Sequence, residues 1–307
     1  SRDGRFDLLT VDEMYGRLYL SHGTEVNVVD LKTNKSIATI PNTLGVHGIT
    51  IASDLKKGFT SNGKDTSVTV FNSETFQLIE TVKIPGINPD AILYDAFSKK
   101  VFVFNGKSND VNVIDAKTNK VISTIPLPGK PELCTNDNLG SVFVNIEDKN
   151  MIVVIDAITL TIKHEWSIAP GEEPTGLSYD HINKRLFSVC SNKLMVVLNA
   201  ENGKVIKTIP IGDGCDGVEF DEERKLIYTS NGDDGTMTVM KEVNADSFQV
   251  IQTIITQKGA KTIALDKKSH RLFLPTAEFG ETPPASEDNP NPKRSIKPNT
   301  FVVLVVE

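Results

Sequence analysis

The ten residues VNVIDAKTNK, at positions 111–120, decide the fold of this chain, because nearly the same ten residues occur earlier. The stretch VNVVDLKTNK, at 26–35, is identical at eight of the ten positions and lies 85 residues upstream. A weaker copy, VTVFN at 68–72, lies about midway between them. The offset therefore corresponds to two repeats of roughly 42 residues, the length of one blade in several propeller families.

An aromatic residue recurs at one phase of every repeat and counts the repeats. Successive members of this aromatic column are 40, 43, 41, 44, 41 and 45 residues apart, and they are Tyr19, Phe59, Phe102, Phe143, Phe187, Tyr228 and Phe273. Seven members of the column predict seven structural units.

Each repeat has the pattern of short strands. Segments such as 67–72 and 110–115 alternate apolar and polar residues, are rich in Val and Ile, and are separated by clusters of Asn, Gly, Asp, Lys and Pro. Four such strands fit within one repeat, and stacked repeats would bury the aromatic column between neighbouring sheets. The sequence therefore predicts an all-β chain, a seven-bladed β-propeller of four-stranded antiparallel blades, as one domain over 1–307.

The last repeat departs from this pattern. Its strands are predicted at 263–266, 271–275 and 301–306, with a long Pro-rich loop at 280–300 between the second and third. No sequence for a fourth strand follows, so the last blade is predicted to lack its outer strand in this chain. We expect the natural chain to begin further upstream, with a strand that completes this blade.

The repeat motifs resemble those of a known family. VIDAKTNKVISTIP (113–126) and VVDLKTNKSIATIP (28–41) are similar to the YVTN repeat of YncE-like seven-bladed propellers. The segments SHGTEVNVVD (21–30), GVHGI (45–49), GFTSNGKD (58–65) and PTAEFG (275–280) resemble a bacterial group labelled putative surface-layer proteins. The resemblance implies an exported protein, in the periplasm or on the cell surface, and implies no particular activity.

Composition excludes several classes of function. With 40 acidic and 33 basic residues the net charge is −7, which disfavours a nucleic-acid binder that relies on phosphate neutralisation. The longest apolar run, 301–306, is far shorter than the roughly 20 residues of a membrane-spanning helix. We expect a monomer that is not transmembrane and that binds a small ligand, a peptide or a protein. No cofactor is predicted, although a divalent cation stays open.

The repeat register predicts two rings of residues on one face of the propeller, where loops entering the inner strands and loops joining second to third strands both open. The mouth ring, at the start of each inner strand, consists of Asp7, His47, Asp90, Glu132, Thr175, Asp216 and Lys261. The hairpin ring, three residues after each aromatic, consists of His22, Asn62, Asn105, Ile146, Cys190, Asn231 and Thr276. In the fourth repeat Ile146 interrupts the polar pattern, but Asn145 and Glu147 flank it.

Carboxylates, amides and imidazoles that converge on one opening suit a hard cation such as Ca²⁺ or a polar ligand. We therefore predict ligand contacts from His22, His47, Asn62, Asp90, Asn105, Glu132, Asn145, Glu147, Asp216 and Asn231. A structural interpretation stays open as well. Asn62, Asn105 and Asn231 each precede a glycine, and Asn-Gly pairs form tight turns without any ligand, while the acids can cap loop amides.

Three functions remain open at this point. The first is a binding or scaffold propeller outside the cytoplasm. The second is a metal-assisted enzyme of the lactonase or lyase kind, in which His22 and His47, expected to be neighbours beside Asp90, act as ligands or as acid and base. The third is a surface-layer or envelope protein whose ring serves assembly. A disulfide between Cys190 and Cys215 also stays open, because an oxidising compartment permits it.

Overall fold

The computed structural model describes residues 5–284 and 294–307, and these residues form 27 β-strands in seven sheets. Six sheets have four strands and the last has three, which confirms the predicted architecture. Within the described ranges there is no α-helix, only two short 3-10 helices, at Ser53–Leu55 and Glu147–Lys149. No helix in that part of the chain is long and apolar enough to cross a membrane.

The first three blades each contain four strands in chain order. Their strands are β1 (Phe6–Asp12), β2 (Arg17–His22), β3 (Glu25–Asp30), β4 (Lys35–Ile40), β5 (Val46–Ala52), β6 (Lys57–Asn62), β7 (Ser67–Asn72), β8 (Leu78–Lys83), β9 (Pro89–Asp95), β10 (Lys100–Asn105), β11 (Asp110–Asp115) and β12 (Lys120–Pro126).

The remaining four blades follow the same order, except that the seventh has no fourth strand. Their strands are β13 (Pro131–Asn136), β14 (Ser141–Ile146), β15 (Met151–Asp156), β16 (Thr161–Ser167), β17 (Pro174–Asp180), β18 (Arg185–Cys190), β19 (Leu194–Asn199), β20 (Val205–Pro210), β21 (Cys215–Asp221), β22 (Leu226–Asn231), β23 (Thr236–Asn244), β24 (Ser247–Ile255), β25 (Ala264–Asp266), β26 (Arg271–Thr276) and β27 (Val302–Val306).

The blades close into a ring with their first strands innermost. The first strand of each blade contacts the first strand of the next, and β25 of the last blade contacts β1 of the first. Every pair of neighbouring strands within a blade is antiparallel, as in the pairing of Phe102 with Val113. The mouth of the central channel is therefore lined by the seven segments that lead into the inner strands.

The repeated DxKTNK sequence forms the turn between the third and fourth strands. In the third blade the Asp115 carboxylate accepts hydrogen bonds from the backbone N–H and the hydroxyl of Thr118, at 2.8 and 2.9 Å. Asn119 then adopts a left-handed backbone with φ of 62°, which Asn tolerates better than most residues. The first blade repeats this geometry with Asp30, Thr33 and Asn34. The most conspicuous motif of the chain is therefore explained by turn formation.

The core lies between the blades, because each sheet buries both faces against its neighbours. Members of the aromatic column such as Phe59, Phe102 and Phe187 are completely buried. Phe102 belongs to a cluster that also contains Val142 and Val144 of the following blade. Each blade therefore depends on its neighbours for its hydrophobic packing, as expected of a repeat protein.

A second kind of contact joins neighbouring blades, and we call it the interblade clasp. The side chain of the first residue in a blade's second strand donates a hydrogen bond to a backbone carbonyl oxygen of the next blade. That oxygen belongs to the residue directly after the next blade's third strand. Five junctions have this contact, formed by Arg17 to Ser73, Lys57 to Ala116, Lys100 to Ala157, Arg185 to Ala245 and Arg271 to Leu31. The last of these joins the seventh blade to the first. In the fourth and sixth blades the position holds Ser141 and Leu226 instead.

The seventh blade ends at an open edge. Its third strand, β27, leaves the side chains of Val302 and Val305 43% and 42% exposed, and no strand in the described residues pairs with its outer side. Near the mouth, Phe301 stacks on the His22 ring and contacts Phe6, which seals this junction. A backbone bridge between Phe279 and Ile296 joins the stems of the predicted loop. Its middle, 285–293, lies outside the described residues.

Candidate functional site

The mouth ring is assembled as its register predicted, since residues far apart in sequence come into direct contact. His47 contacts Asp7 and Asp90, which lie in the first and third blades. Lys261 of the last blade forms an ion pair with Asp216 of the sixth. Thr175 donates a hydrogen bond to the carbonyl oxygen of Cys215, which precedes Asp216. All seven side chains are partly exposed, so the ring forms a polar surface at the mouth of the channel.

Asp7, His47 and Asp90 form a compact group, which we call the mouth triad. The Nδ1 atom of His47 lies 2.7 Å from Oδ2 of Asp7 and 3.7 Å from Oδ1 of Asp90. One ligand atom from each residue lies within 4.8 Å of the other two, and each side chain is between 27 and 31% exposed. Two carboxylates and one imidazole at this spacing can hold a divalent cation, with room left for water or a ligand.

The charges of the mouth triad shift its ionisation. Burial lowers the pKa of His47, but the hydrogen bond to Asp7 and the negative charges of Asp90 and Asp7 together raise it above its ordinary value. Burial raises the pKa of Asp90; the nearby His47 opposes this shift and the negative charge of Asp7 reinforces it. The site thus concentrates negative charge that a bound cation would relieve.

Next to the triad, Lys130 bridges two carboxylates from the fourth blade. Its Nζ lies 2.6 Å from Glu132 and also forms an ion pair with Glu147. Burial raises the pKa of Glu132 to about 7. The nearby Lys130 opposes this shift, and the negative charges of Asp90 and Glu147 reinforce it. Carboxylates from neighbouring blades therefore repel one another across the mouth, and lysines partly compensate them.

Three asparagines of the hairpin ring follow the structural interpretation that was left open rather than the predicted ligand contact. Asn62, Asn105 and Asn231 are completely buried. The Asn62 side-chain amide donates to Ser67 and Thr69, at 3.0 and 2.9 Å, across the hairpin that Asn62 begins. Asn105 donates to Asp110 and Asn112, and Asn231 donates to Thr236 and Thr238, in the same pattern. These three amides hold their hairpins together, so the candidate site does not include them.

Asn145 and His22 are two further predicted ligand contacts that belong to the blade packing instead. The buried Asn145 amide donates to the carbonyl oxygens of Thr175 and Gly176, both at 3.0 Å, and so joins the fourth blade to the fifth. His22 is 5% exposed, and its Nδ1 lies 3.1 Å from Oδ1 of Asn27. Both side chains serve packing between or within blades rather than a surface open to ligand.

The expected pair of His22 and His47 is not formed among the described contacts. The His22 ring stacks on Phe301 with a centroid distance of 4.6 Å, whereas His47 is held by Asp7 and Asp90. The repeat register placed both residues on one face correctly. It did not reveal that the end of a second strand points into the sheet packing.

The disulfide that stayed open is also absent from the structure, in which Cys134, Cys190 and Cys215 are free. Cys190 and Cys215 are both buried, and burial raises the pKa of the Cys190 thiol to about 12. Burial raises the pKa of Cys215 as well. These thiols are therefore poor nucleophiles and pack as small apolar groups.

Five of the ten predicted contact residues remain at the mouth, namely His47, Asp90, Glu132, Glu147 and Asp216. Three further residues belong with them. Asp7 and Lys261 are members of the mouth ring but were not among the predicted ligand contacts. Lys130 lies two residues before the ring position and has no repeat signal, so only the structure places it there.

The comparisons with known proteins show the fold and nothing finer. No protein-family model matches this chain, and no curated protein sequence matches it. A solved structure of Kuenenia stuttgartiensis hydrazine synthase is similar, with a TM-score of 0.80, 15% identity, and coverage of 100% of this chain and 96% of the other. A chain in a crystal structure of the mitotic checkpoint complex is also similar, with a TM-score of 0.77, 13% identity, and coverage of 96% and 90%. At such low identity the resemblance establishes a β-propeller only.

Proposed function

We propose that this protein is a binding propeller that captures a divalent cation at the mouth triad. The observation that carries the proposal is the convergence of Asp7, His47 and Asp90, from three different blades, on one partly exposed point. The donor set revises the expected metal, because an imidazole nitrogen with two carboxylate oxygens favours Zn²⁺ or Mn²⁺ over Ca²⁺. A bound cation would replace the proton between His47 and Asp7 and neutralise the repulsion between Asp7 and Asp90.

The neighbouring charges extend the site toward a larger ligand. Glu132, Glu147 and Lys130 lie on one side of the triad, and Lys261 with Asp216 lies on the other. The negative charge of Asp90 contributes to the raised pKa of Glu132, and that of Asp7 to the raised pKa of Lys261, so these groups interact across the mouth. A polar ligand that coordinates the cation would meet both acidic and basic partners here.

Calorimetric titration with Zn²⁺ and with Mn²⁺ tests the proposal. We expect the intact protein to bind one equivalent, and His47→Ala to weaken binding at least tenfold, which corresponds to about 1.4 kcal/mol. His164→Ala, which removes an exposed imidazole from outer strand β16, is the matched control and should bind as the unaltered protein does. Equal binding by the two variants, or no binding by the unaltered protein, would refute the proposal.

The pH dependence of binding follows from the same site. Because the pKa of His47 is raised, its imidazole becomes protonated at a higher pH than an ordinary histidine and is then lost as a metal ligand. At lower pH the carboxylate of Asp90, whose pKa is also raised, becomes protonated as well. Affinity for Zn²⁺ should therefore fall steadily between pH 8 and pH 6, because protons and metal compete for the same atoms. A flat affinity over this range would mean that His47 is not a ligand.

We also propose that the protein is a YncE-like propeller that works outside the cytoplasm. The support is the similarity of VIDAKTNKVISTIP and VVDLKTNKSIATIP to the YVTN repeat. Fractionation of cells that express the natural gene would test the location, and recovery only in the cytosolic fraction would refute it. Metal capture at the mouth triad does not depend on this location.

A further inference from the structure

A groove lies between the fourth and fifth blades, away from the mouth. Its volume is about 250 Å³, and its lining includes Ser141, Trp166, Tyr179, Ala200, the carboxylate-bearing residues Asp137 and Glu201, and the lysines Lys163 and Lys184. Trp166 is the single tryptophan of the chain and is half-buried in outer strand β16. The groove therefore combines aromatic rings with both acidic and basic groups at one junction of the ring.

The interblade clasp explains why a groove exists at this junction. Ser141 is the first residue of β14, and Ala200 follows β19, so both occupy the positions that form the clasp elsewhere. At five junctions an Arg or Lys side chain fills this space and donates to the facing carbonyl oxygen. Ser141 is too short to reach across. At the junction of the sixth and seventh blades the position holds Leu226, which packs against the same hydrophobic cluster as Leu304 and Val306.

The occupied clasps show what chemistry the empty position accepts. The guanidinium carbon of Arg17 lies 4.8 Å from the ring centroid of Tyr15 and 4.6 Å from that of Phe76, and that of Arg271 lies 5.4 Å from the ring of Phe273. A cation over an aromatic face is stabilised by the ring quadrupole. The rings of Trp166 and Tyr179 provide aromatic surface of the same kind in the groove.

Trp166 is held in place by its neighbours. Its ring stacks against Phe143, with centroids 6.2 Å apart, and against His164, at 5.5 Å. Gly203 adopts a φ of 72°, and a Cβ at this glycine would collide with the indole ring. Gly203 occupies the hairpin position that Phe76 holds in the second blade, and the indole ring of Trp166 lies directly against this glycine.

The charge that the groove leaves uncompensated is negative. Glu201 is paired with Lys184 at 2.6 Å, and Lys163 lies 3.7 Å from Asp156. Asp137 accepts hydrogen bonds from the backbone N–H groups of Leu139 and Ser141, and within residues 5–284 and 294–307 it forms no ion pair. A positive group that enters the groove would therefore find a carboxylate without a cationic partner.

We propose that this groove binds an arginine side chain of a partner protein, whose guanidinium takes the place of the clasp that Ser141 cannot form. Its expected contacts are the Ala200 carbonyl, the Asp137 carboxylate and the face of Trp166. Arginine fits better than lysine because its planar head can stack on a ring and donate several hydrogen bonds at once. The partner segment would lie along the seam between the two blades.

Trp166 makes the proposal directly measurable, because all tryptophan fluorescence of the protein comes from this groove. The probe is the acetylated and amidated tripeptide Gly-Arg-Gly, and the control probe replaces arginine with citrulline, which has nearly the same shape without the charge. We expect the arginine peptide to change the fluorescence saturably and the citrulline peptide to bind at least about tenfold more weakly. Equal responses to the two peptides, or none to the arginine peptide, would overturn the proposal.

Two variants at one position complete the test. Ser141→Arg supplies the missing clasp from within the chain, so it should abolish peptide binding and raise the melting temperature. Ser141→Ala keeps the groove open and should bind the arginine peptide as the unaltered protein does. Unchanged binding by Ser141→Arg, or a response to a neutral oligosaccharide such as maltotriose in place of the arginine peptide, would refute the assignment. His47→Ala should leave peptide binding unchanged, which separates this groove from the mouth triad.

Discussion

At the scale of single residues, Glu219 is a carboxyl group whose buried environment disfavours its charged form. It lies in inner strand β21 between Val218 and Phe220, which both belong to the core, and burial raises its pKa to about 7. Lys267 opposes this shift and Glu13 reinforces it. In the unfolded chain its pKa would be about 4.3. Folding therefore favours the protonated form of Glu219. The contribution of this carboxyl group to the free energy of unfolding is fully present below about pH 4 and is lost as the pH rises through 7.

Replacement of this carboxyl by an amide gives a prediction with a definite sign. Glu219→Gln should unfold at the same urea concentration as the unaltered protein at pH 4. At pH 8 it should be more stable by about 2 kcal/mol, a value discounted for water in the channel. Glu165→Gln, at an exposed position of β16, is the control and should show no such pH-dependent gain. Parallel pH profiles for Glu219→Gln and the unaltered protein would contradict the prediction.

Sequence alone predicted residue positions better than side-chain environments. The repeat register located His47, Asp90 and Glu132 at the mouth because one position in every repeat must lie there. It also located Asn62 and Asn105 on the same face, yet their amides are consumed by hydrogen bonds to residues five and seven positions later. Register fixes where the backbone lies. Which groups are left free depends on hydrogen bonds that a single sequence does not display.

At the scale of elements, the interblade clasp makes a separable contribution to stability. Lys100→Met keeps the straight stem of the side chain but removes the ammonium group that donates to the Ala157 carbonyl, at 2.9 Å. Because one charge-assisted hydrogen bond at a half-buried position is lost, we expect urea unfolding to show a loss of about 1 kcal/mol. Lys120→Met, at an exposed position of β12, should cost almost nothing. Equal losses in the two variants would show that the clasp adds no stability.

Strands and turns were predictable from sequence, whereas the clasps were not. Apolar alternation identified the strands, and the DxKTNK motif contains its own explanation in the Asp115 and Thr118 hydrogen bonds. The donors and acceptors of four clasps, in contrast, are 56, 59, 57 and 60 residues apart. In the sequence they are ordinary lysines and arginines beside unremarkable carbonyl groups, and only the packing of neighbouring blades makes them a set.

At the scale of the whole molecule, the clasp from Arg271 to Leu31 has a special position because it joins the last blade to the first. Contacts at this seam hold together strands that chain connectivity does not keep close. Arg271→Gln should therefore speed amide hydrogen exchange in β1–β4 and in β25–β27, since local opening begins at the weakest junction. Lys100→Met, which loses a clasp between consecutive blades, should leave exchange at the seam unchanged. Uniform acceleration around the ring by Arg271→Gln would contradict this.

The overall architecture was predictable because the sequence contains seven copies of one structural repeat. Each repeat independently indicates short strands, and the aromatic column indicates both the number of blades and the location of the core. The three-stranded seventh blade was also predictable, since the last repeat shows three strand segments instead of four. The ligand was not predictable, because the seven mouth-ring positions hold five different residue types and no single type recurs in every repeat.

That irregularity of the mouth ring has a consequence for how the protein can acquire new specificities. Each of its seven positions is encoded in a separate repeat and supported by its own hairpin, so one codon change alters one point on the rim and leaves the hydrophobic packing intact. Natural variation can therefore explore combinations of charge around the opening almost independently of folding. Orthologues of this chain would then share the buried aromatic residues while differing in what they recognise.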